Sequence, residues 1–353
     1  MSSKCSHQKF ELIVQRTNLV SGAFEVVKQL RPQWSFDKMK FQIFNGGITN
    51  QLIGVYQNED NSDTVLVRVY GENTERIIDR ENEIKIMQLL YPLGLSARVY
   101  ATFTNGLIYQ YMIGKTLDEK SCYDPNIYPL VAHKMAEIHL QLPIYKQFYD
   151  GIDRAILWDK IKCFIVSCCE TSGGEKLTKA IKNQSLPSKQ NLIQELEWLK
   201  SHLENVNSPL VLCHNDLLLA NVLYDEKSKT VHFIDFEYAG PNYRAYDIAN
   251  HFNEFSVANN WLSYPNENFR REWLQAYLKV FDNVEHVEEK KLQQVMDEIE
   301  HFRLASHFFC GTWGVYQATH STLDFDFVGY SVSRFNEYYR VKRALPPLPF
   351  LLG

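Results

Sequence analysis

Apolar and polar residues in the first third of the chain follow a strand pattern interrupted by one helix. Three strand segments come first, and a glycine-rich turn joins the first two. Apolar residues at helical spacing follow, and this pattern ends at Pro92 and Gly94. Asn105-Gly106 then marks a tight hairpin turn. The predicted segments are 40–57 (two strands), 63–71 (strand), 74–94 (helix) and 97–114 (hairpin), after a broken helical pattern over 10–31.

After Gly114 the pattern becomes mainly helical. The polar stretch 170–190 predicts a mobile surface loop, and the proline-rich tail 345–353 is expected to be non-helical. The change of pattern divides the chain into a small β-rich N-lobe with an N-terminal helical segment, 1–113, and a larger C-lobe, 114–353. Helices are predicted at 126–140, 190–205, 244–255, 269–282, 287–319 and 328–341.

Residues 211–238, VLCHNDLLLANVLYDEKSKTVHFIDFEY, combine catalytic residue types with a hairpin pattern. The stretch contains His214, Asp216, Asn221 and Asp235, and the residues between Asn221 and Asp235 predict two short strands and a polar turn. Because a hairpin brings its ends together, Asn221 and Asp235 are expected side by side with Asp216 next to them. Protein kinases have this spacing: an Asp accepts the hydroxyl proton, and an Asn and a second Asp hold magnesium.

The glycine-rich turn between the first two strands suits a nucleotide. Glycine backbone can approach phosphates closely there, although the turn is neither a Walker A loop nor a G-x-G-x-x-G loop. The third strand carries Arg68, whose fork geometry suits phosphate and the carboxylate of Glu83 on the next helix. Residues 110–112 stand where a connection between lobes can offer backbone groups to adenine. The predicted nucleotide-binding residues are Gly46, Gly47, Thr49, Asn50, Arg68, Glu83, Gln110 and Met112.

Composition and charge exclude several classes of protein. The 353 residues, 45% apolar and 22% charged, suit about two soluble domains. A net charge of -5 and a pI near 6.1 argue against a nucleic-acid partner. The sequence has no apolar signal core and no apolar run near the ~18 residues of a membrane span, so a cytoplasmic location is predicted. Seven cysteines without C-x-x-C spacing are expected to be free thiols.

Long sequence blocks, in one order from about Phe41 to Val341, resemble the choline/ethanolamine kinase family. The resemblance implies an α+β, two-lobed protein-kinase-like fold that uses ATP and Mg²⁺ to phosphorylate the hydroxyl of a small amino alcohol. It points to the ethanolamine branch, which makes phosphoethanolamine in the first step of the CDP-ethanolamine route to phosphatidylethanolamine. The blocks are GGITNQLIGVY, VLVRVYG, VLCHNDLLLANVLY, FIDFEYAGPNYRAYDIANHFNEF and LASHFFCGTWGVYQATHSTLDFDFVGYSVSRFNEYY.

The resemblance also implies roles for individual residues. Asp216 would be the catalytic base, and Asn221 and Asp235 would complete the catalytic set as magnesium ligands. The N-lobe would bind the nucleotide, and the C-lobe would hold the catalytic and substrate-binding residues. A cationic amine needs a carboxylate and aromatic faces, which agrees with the implied substrate residues. Those residues are Glu254, Trp313, Phe325 and Tyr330, with Glu237 and Asp247 as supporting acids and Asn250 and His251 bracing the following helix.

One position departs from the family pattern. Where the family commonly carries a tryptophan, this chain has Cys310, and only Trp313 remains. Losing one aromatic wall disfavours a quaternary ammonium, whereas a primary ammonium has three N–H donors and needs acceptors more than rings. Tyr316 or a neighbouring residue could replace the missing wall. Cys310 therefore favours ethanolamine over choline, if it lines the substrate pocket.

Three other functions stay open at this stage. The nearest is a choline kinase or a dual choline/ethanolamine kinase. An aminoglycoside-type phosphotransferase would share the catalytic loop but favour an acidic pocket for polycations. A catalytically inactive binding module would be signalled by loss of the base or a metal ligand, and Asp216, Asn221 and Asp235 are all present. The sequence leaves the oligomeric state open, with a homodimer among the options.

Overall fold

A computed structural model describes the chain as two units of different composition. The first unit is Met1–Lys115 together with His232–Glu237, and the second is Thr116–Val231 together with Tyr238–Gly353. The boundary predicted at 113/114 assigns residues 232–237 to the C-lobe, whereas His232–Glu237 belongs to the first unit. The described residues are 7–44, 50–58, 62–72, 74–147, 153–168, 174–256, 261, 264–321, 323–345 and 348.

One sheet organises the described part of the first unit. Its six strands are ordered β1–β5–β6–β4–β3–β2, with β1 parallel to β5 and the other pairs antiparallel. The predicted strands and the hairpin at Asn105-Gly106 are therefore confirmed, whereas β1 is too short to produce a sequence pattern. The strands are β1 (Gln8–Phe10), β2 (Lys40–Phe44), β3 (Asn50–Tyr56), β4 (Val65–Tyr70), β5 (Val99–Phe103) and β6 (Gly106–Gln110).

The two faces of β4 have different tasks. Val67 and Val69 are fully buried in a cluster with residues of helix α1 (Leu19–Leu30). Since successive strand residues point to opposite faces, Arg68 lies on the face away from this cluster.

Helix α2 (Arg80–Leu90) begins after Asp79, whose side chain accepts a hydrogen bond from the N–H of Asn82 at 3.0 Å. At its other end the helix stops at Leu90, just before Pro92, as predicted.

The second unit is built around one long, buried helix. Helix α10 packs against α5, α8 and α11, and its second half is buried nearly all round. None of the helices in the described ranges has the length and apolar character that a membrane crossing requires. The helices are α3 (Tyr128–His139), α4 (Leu142–Tyr145), α5 (Leu157–Ser167), α6 (Gly174–Lys182), α7 (Lys189–Glu204), α8 (Arg244–Glu254), α9 (Glu267–Phe281), α10 (Glu289–His320) and α11 (Phe327–Ala344).

The prediction of a surface loop over 170–190 is wrong. Helix α6 occupies Gly174–Lys182, buries Leu177 and Ala180, and packs against α10 and α11. Its few apolar positions lie among charged residues, so the polar composition concealed an amphipathic helix. Of the tail predicted to be non-helical, only Leu345 and Leu348 lie among the described residues. Both follow Ala344, the last helical residue of α11.

Short strands lead into and out of the predicted catalytic segment. Strand β8 (Leu210–Cys213) pairs antiparallel with β11 (Gly240–Tyr243), so that Cys213 lies opposite Gly240. The predicted hairpin is confirmed, because β9 and β10 are neighbouring strands in a small sheet ordered β10–β9–β7. Its strands are β7 (Lys115–Thr116), β9 (Val222–Asp225) and β10 (Thr230–Phe233).

Gly106 is a position where the sheet requires the absence of a side chain. A Cβ built there would overlap the carbonyl oxygen of Arg68 and the ring of Phe103. Since the oxygen belongs to the paired backbone of β4, it cannot move aside cheaply. We expect Gly106→Ala to lower the free energy of unfolding by about 1–3 kcal/mol in urea denaturation. Gly54→Ala on β3 is the matched control: its Cβ would come nearest to the Phe44 ring, at 3.1 Å. Equal losses in both variants would contradict this explanation.

Candidate active site

The predicted ion pair between Arg68 and Glu83 is present in the first unit. Arg68 Nη2 donates to Glu83 Oε1, and the Glu83 side chain is fully buried. Arg68 Nη1 donates to Asp235 Oδ1 at 3.0 Å, so the same guanidinium also holds the Asp predicted to bind magnesium. One arginine therefore connects the sheet, helix α2 and the segment His232–Glu237 of this unit.

Arg80, which sequence reasoning missed, extends this cluster. Its guanidinium donates to Glu83 at 3.2 Å, to Glu237 at 2.9 Å and to Asn50 at 3.1 Å. It also lies over the Tyr70 ring, 4.2 Å from the ring centroid. Asn50, predicted to bind nucleotide, donates to Glu237 at 2.9 Å. The one sequence signal for Arg80 was its place at the start of the helix, three residues before Glu83.

Asp235 is held in an unusual electrostatic setting. Partial burial and the neighbouring Glu237 raise its pKa to about 7, against the opposing effect of Arg68. Its backbone also has a positive φ of 66°, which Asp tolerates better than most residues. A carboxylate crowded by other acids is stabilised in its ionised form by an added cation. Its hard oxygen atoms therefore fit a divalent ion such as Mg²⁺.

Of the remaining residues predicted to bind nucleotide, the structure describes Gln110 and Met112. Gln110 ends β6, where its N–H donates to the carbonyl of Arg98 at 2.9 Å and its side chain accepts from the Arg98 N–H at 3.2 Å. Its carbonyl stays a candidate contact with adenine. Met112 is half-buried just beyond β6. The predicted residues Gly46, Gly47 and Thr49 lie outside the described residues.

In the second unit, Asp247 fixes the loop that leads to Asp216. The backbone N–H groups of His214 and Asn215 donate to the two Asp247 carboxylate oxygens at 2.8 and 2.7 Å. Asn215 has a positive φ of 67°, and its side chain donates to the carbonyl oxygen of Tyr238 at 3.0 Å. The residue before Asp216 is therefore held through both its backbone and its side chain. Asp247 thus orders the loop that leads to Asp216, and its role as a supporting acid in catalysis stays a prediction.

A buried histidine completes the environment of Asp247. His139 Nε2 lies 3.0 Å from Asp247 Oδ2, and its Nδ1 lies 2.7 Å from the Tyr277 hydroxyl. A neutral imidazole that donates to Asp247 and accepts from Tyr277 satisfies both contacts. Although burial opposes ionisation, hydrogen bonds from His139 and His214 hold the pKa of Asp247 below its usual value. This buried carboxylate is charged because three N–H donors converge on it.

His139, Cys213 and Asp247 also lie close enough to be considered as metal ligands. Their donor atoms are all within 4.8 Å of one another, and all three side chains are buried. However, burial raises the pKa of the Cys213 thiol well above its usual value. Both Asp247 oxygens are already occupied by N–H donors. We therefore interpret the group as a hydrogen-bond network rather than a metal site.

Asn221 and the next helix brace the segment around Asp216. Asn221 Nδ2 donates to the backbone oxygen of Asp216 at 2.8 Å, so its amide oxygen is the atom it can present to a cation. His251 Nδ1 is 2.9 Å from the Leu217 carbonyl, and burial lowers the histidine pKa to about 4. Asn250 accepts from Ser306 at 2.9 Å, which ties α8 to α10. These contacts agree with the bracing expected of Asn250 and His251.

The three aromatic residues predicted for the substrate are neighbours. The rings of Trp313 and Tyr330 are 5.8 Å apart at their centroids, and those of Phe325 and Tyr330 are 6.1 Å apart. Trp313 Nε1 also donates to the Tyr238 hydroxyl at 3.0 Å. The Phe325 side chain is half exposed, so this aromatic group is accessible from solvent. An amine could therefore contact ring faces here.

Glu254 is already paired with a cation of the protein. Arg334 Nη2 donates to Glu254 Oε1 at 2.5 Å, and the guanidinium lies 5.1 Å from the Tyr330 ring centroid and 4.5 Å from that of Trp261. Sequence reasoning missed both Arg334 and Trp261. Arg334 had one signal, its position one helical turn after Tyr330, whereas Trp261 had none. The Glu254 carboxylate therefore carries an ion pair that the sequence prediction did not include.

Cys310 belongs to the same cluster. Burial and the nearby Glu254 and Asp216 carboxylates raise the pKa of Cys310 to about 11, and Arg334 opposes the shift. The thiol is therefore neutral near pH 7. Cys310 is also hydrogen-bonded with Tyr330, whose hydroxyl accepts from Arg334.

The Asp247 network leads to a stability prediction with a pH dependence. Asp247→Asn replaces an acceptor by an NH₂ group that faces N–H donors, so at least one hydrogen bond to a charged group is lost. We expect the free energy of unfolding at pH 7 to fall by about 1.5–3 kcal/mol. The folded-state pKa of Asp247 is lowered, so this contribution is complete above the unfolded pKa of about 3.9 and is lost as the pH falls through the folded value.

Urea denaturation at pH 7 and pH 3 tests this prediction, since the difference between wild type and variant should narrow at the lower pH. Asp153→Asn is the control, because Asp153 pairs with Lys146 at 2.6 Å on the exposed surface and should contribute little. A difference of the same size at both pH values would show that ionisation of Asp247 is not involved.

Known proteins share this sequence and architecture. Human ethanolamine kinase 1 is 40% identical over 334 residues, which cover 93% of this chain and 73% of that protein. The structure of a Plasmodium vivax ethanolamine kinase is 30% identical, covers 92% of this chain and 89% of its own, and gives a TM-score of 0.78. A Cryptosporidium parvum choline kinase structure, 22% identical, covers 91% of this chain and 96% of its own with a TM-score of 0.74.

The protein-kinase-like α+β fold is confirmed by these structural similarities, which span both the β-rich and the helical unit. A model of the choline/ethanolamine kinase family matches residues 41–339, close to the limits at which the sequence blocks were noted. The matched range contains Asp216, Asn221, Asp235 and the four residues predicted to bind the amine, of which Tyr330 is the last. The chain therefore belongs to the choline/ethanolamine kinase family.

Proposed function

We propose that this protein is an ethanolamine kinase, which transfers the γ-phosphoryl group of ATP to the hydroxyl of ethanolamine. The observation that carries the proposal is that the second unit contains both the fixed loop of Asp216 and a cluster of groups suited to an ammonium. In that cluster Tyr330 is hydrogen-bonded with Cys310 and accepts from Arg334, which binds Glu254. A base and a cation site in the same unit suit a short amino alcohol. Its hydroxyl and ammonium are separated by two carbons.

Asp216 has the role of general base in this proposal. Its carboxylate takes the proton of the substrate hydroxyl while that oxygen bonds to the γ-phosphorus and the bond to the ADP oxygen breaks. The products are phosphoethanolamine and ADP. The loop geometry supports this role, since Asp247 and Asn221 hold the backbone on both sides of Asp216.

The nucleotide is proposed to bind the first unit. Arg68 would neutralise phosphate charge there, held in place by Glu83, while Asn50 and the glycine-rich turn supply further contacts. Asn221 and Asp235 are the proposed magnesium ligands, because an amide oxygen and a carboxylate are hard donors. Magnesium, when bound, neutralises phosphate charge. The Asp235 pKa near 7 supports this assignment, since an adjacent cation would favour its ionised form.

Two observations favour ethanolamine over the alternatives. Cys310 provides no aromatic face, which weakens a site for the quaternary ammonium of choline, although a dual choline/ethanolamine kinase stays the nearest alternative. The Arg334 guanidinium offsets the charge of Glu254, which disfavours the polycationic substrates of aminoglycoside phosphotransferases. Relatives named ethanolamine kinases support the same choice.

We also propose a cytoplasmic enzyme that supplies phosphoethanolamine for phosphatidylethanolamine synthesis. The free thiols among the described cysteines support a reducing compartment. Those cysteines are Cys122, Cys163, Cys168, Cys213 and Cys310. Assembly as a homodimer stays a prediction, which sedimentation velocity of the purified protein would test.

The function is tested first at Asp216. We expect Asp216→Asn to reduce kcat for ethanolamine about 10²–10⁴-fold, because the amide cannot accept the hydroxyl proton. Nucleotide affinity and thermal stability should be nearly unchanged. A coupled assay of ADP formation, with ethanolamine, choline and serinol tested in parallel, gives the rates. Asp225→Asn at the start of the β9–β10 turn is a matched control outside the site. A variant that keeps most of its kcat would remove Asp216 from this role.

Substrate preference is tested at position 310. We expect wild-type kcat/KM to favour ethanolamine, and Cys310→Trp to improve the choline value by supplying a ring. One cation–π contact contributes about 0.5–2 kcal/mol, or roughly 2- to 30-fold in affinity. Cys310→Ser, which adds no ring, should leave the preference as it is.

Equal use of ethanolamine and choline by the wild type would defeat the ethanolamine assignment. If Cys310→Trp left the choline value unchanged, Cys310 would not explain the preference, even where the preference itself was observed.

A further inference from the structure

We propose that Arg334, clamped by Trp261, is a positioning residue that presents Glu254 to the ammonium of the substrate. The inference rests on the proposed function and adds two residues to its amine site. Arg334 would hold one carboxylate oxygen, so that the other accepts the substrate's N–H groups. Neither Arg334 nor Trp261 would contact the reacting atoms.

The contacts of Arg334 define the orientation of Glu254. The Arg334 side chain is 1% exposed and that of Glu254 is 7% exposed, so the pair is well shielded from water. Nη2 donates to Oε1 of Glu254 at 2.5 Å, while Nε donates to the Tyr330 hydroxyl at 3.0 Å. The guanidinium is planar, so these two bonds fix its orientation. Glu254 on α8 is thereby fixed against α11, with its Oε2 outside this ion pair.

Trp261 also contacts the arginine. Its indole ring lies 4.5 Å from the Arg334 guanidinium carbon, and its Nε1 donates to the hydroxyl of Ser333 at 2.9 Å. It therefore contacts two successive residues of α11. Trp261 has a positive φ of 68°, a costly conformation for a bulky residue, which persists where surrounding contacts determine it. The ring is half-buried.

The charges of the cluster fit a substrate with one positive charge. The Arg334 guanidinium offsets the charge of Glu254, and the proposed base Asp216 would add one negative charge to the site, so these three groups sum to -1. One ammonium balances that charge, whereas a second would be uncompensated in a largely dehydrated setting. A carboxylate fixed in advance also loses less conformational freedom when the ammonium binds.

Substitution of Trp261 tests the proposal without removing a buried charge. We expect Trp261→Leu to raise KM for ethanolamine about 3- to 10-fold, because both the ring contact and the bond to Ser333 are lost. Both kcat and KM for ATP should stay within about twofold, since Trp261 is proposed to act on the amine site through its contacts with Ser333 and Arg334. Trp198→Leu is the matched control: Lys342, also on α11, lies 3.3 Å from the Trp198 ring centroid. This control should leave all three constants unchanged.

Arg334 itself is tested by a pair of variants. Arg334→Gln should raise KM for ethanolamine more than Trp261→Leu does, and Arg334→Lys should restore part of the loss by keeping the charge. Arg340→Gln, which removes an exposed partner of Glu337 on the same helix, is the control and should leave KM for ethanolamine unchanged. If Arg334→Gln fails to fold, the soluble Trp261→Leu variant decides the question.

Two outcomes would overturn the inference and keep the proposed function. The first is an unchanged KM for ethanolamine in Trp261→Leu. The second is a fall in kcat without a change in KM, in either Trp261→Leu or Arg334→Lys. A wild-type protein that fails to phosphorylate ethanolamine would instead overturn the proposed function. The two failures are thus separated by the wild-type assay.

Discussion

The buried carboxylate of Asp247 is the constraint on which the proposed catalytic segment depends. It accepts hydrogen bonds from the backbone N–H groups of His214 and Asn215, and it is held in turn by His139. A loop between a strand and a hairpin would otherwise leave these N–H groups without partners in the interior. The same bonds that satisfy the loop also determine where Asp216 lies.

Paired charges hold the acids of the proposed sites in both units. In the first unit, Arg68 and Arg80 bind Glu83, Asp235 and Glu237. In the second, Arg334 binds Glu254. A buried charge is costly unless it is paired, and breaking such a pair costs more than forming it contributes. These arginines are therefore better understood as fixing carboxylates in position than as adding to overall stability.

The proposed amine site combines features that would distinguish a primary from a quaternary ammonium. Aromatic faces from Trp313, Phe325 and Tyr330 would attract any cation, methylated or not. A fixed carboxylate oxygen accepts hydrogen bonds only from a cation that has N–H donors. Since Cys310 offers a neutral thiol where a ring is common in the family, the balance shifts from ring contact toward hydrogen bonding. Substrate choice would then follow from a small change in the chemistry of one wall.

The sequence by itself determined the local elements and the chemistry they carry. Strand alternation and helical spacing predicted the sheet, the main helices and the β9–β10 hairpin, because these periods depend on neighbouring residues. The Arg68–Glu83 pair could be predicted since a strand and the helix that follows it are close in the chain. Helix α6 was missed because its composition is mostly polar, and β1 because three residues carry no period.

Tertiary structure alone decided which distant residues meet. Asp247 is 33 residues from His214, and Arg334 is 80 residues from Glu254, so no local pattern relates them. Trp261 lies between helices, where periodicity gives no information, yet it contacts Arg334. Such contacts depend on how whole helices pack, and a buried polar group finds its partner only after that packing has formed. The sequence therefore determined the catalytic residue types, and the fold determined their hydrogen-bond partners.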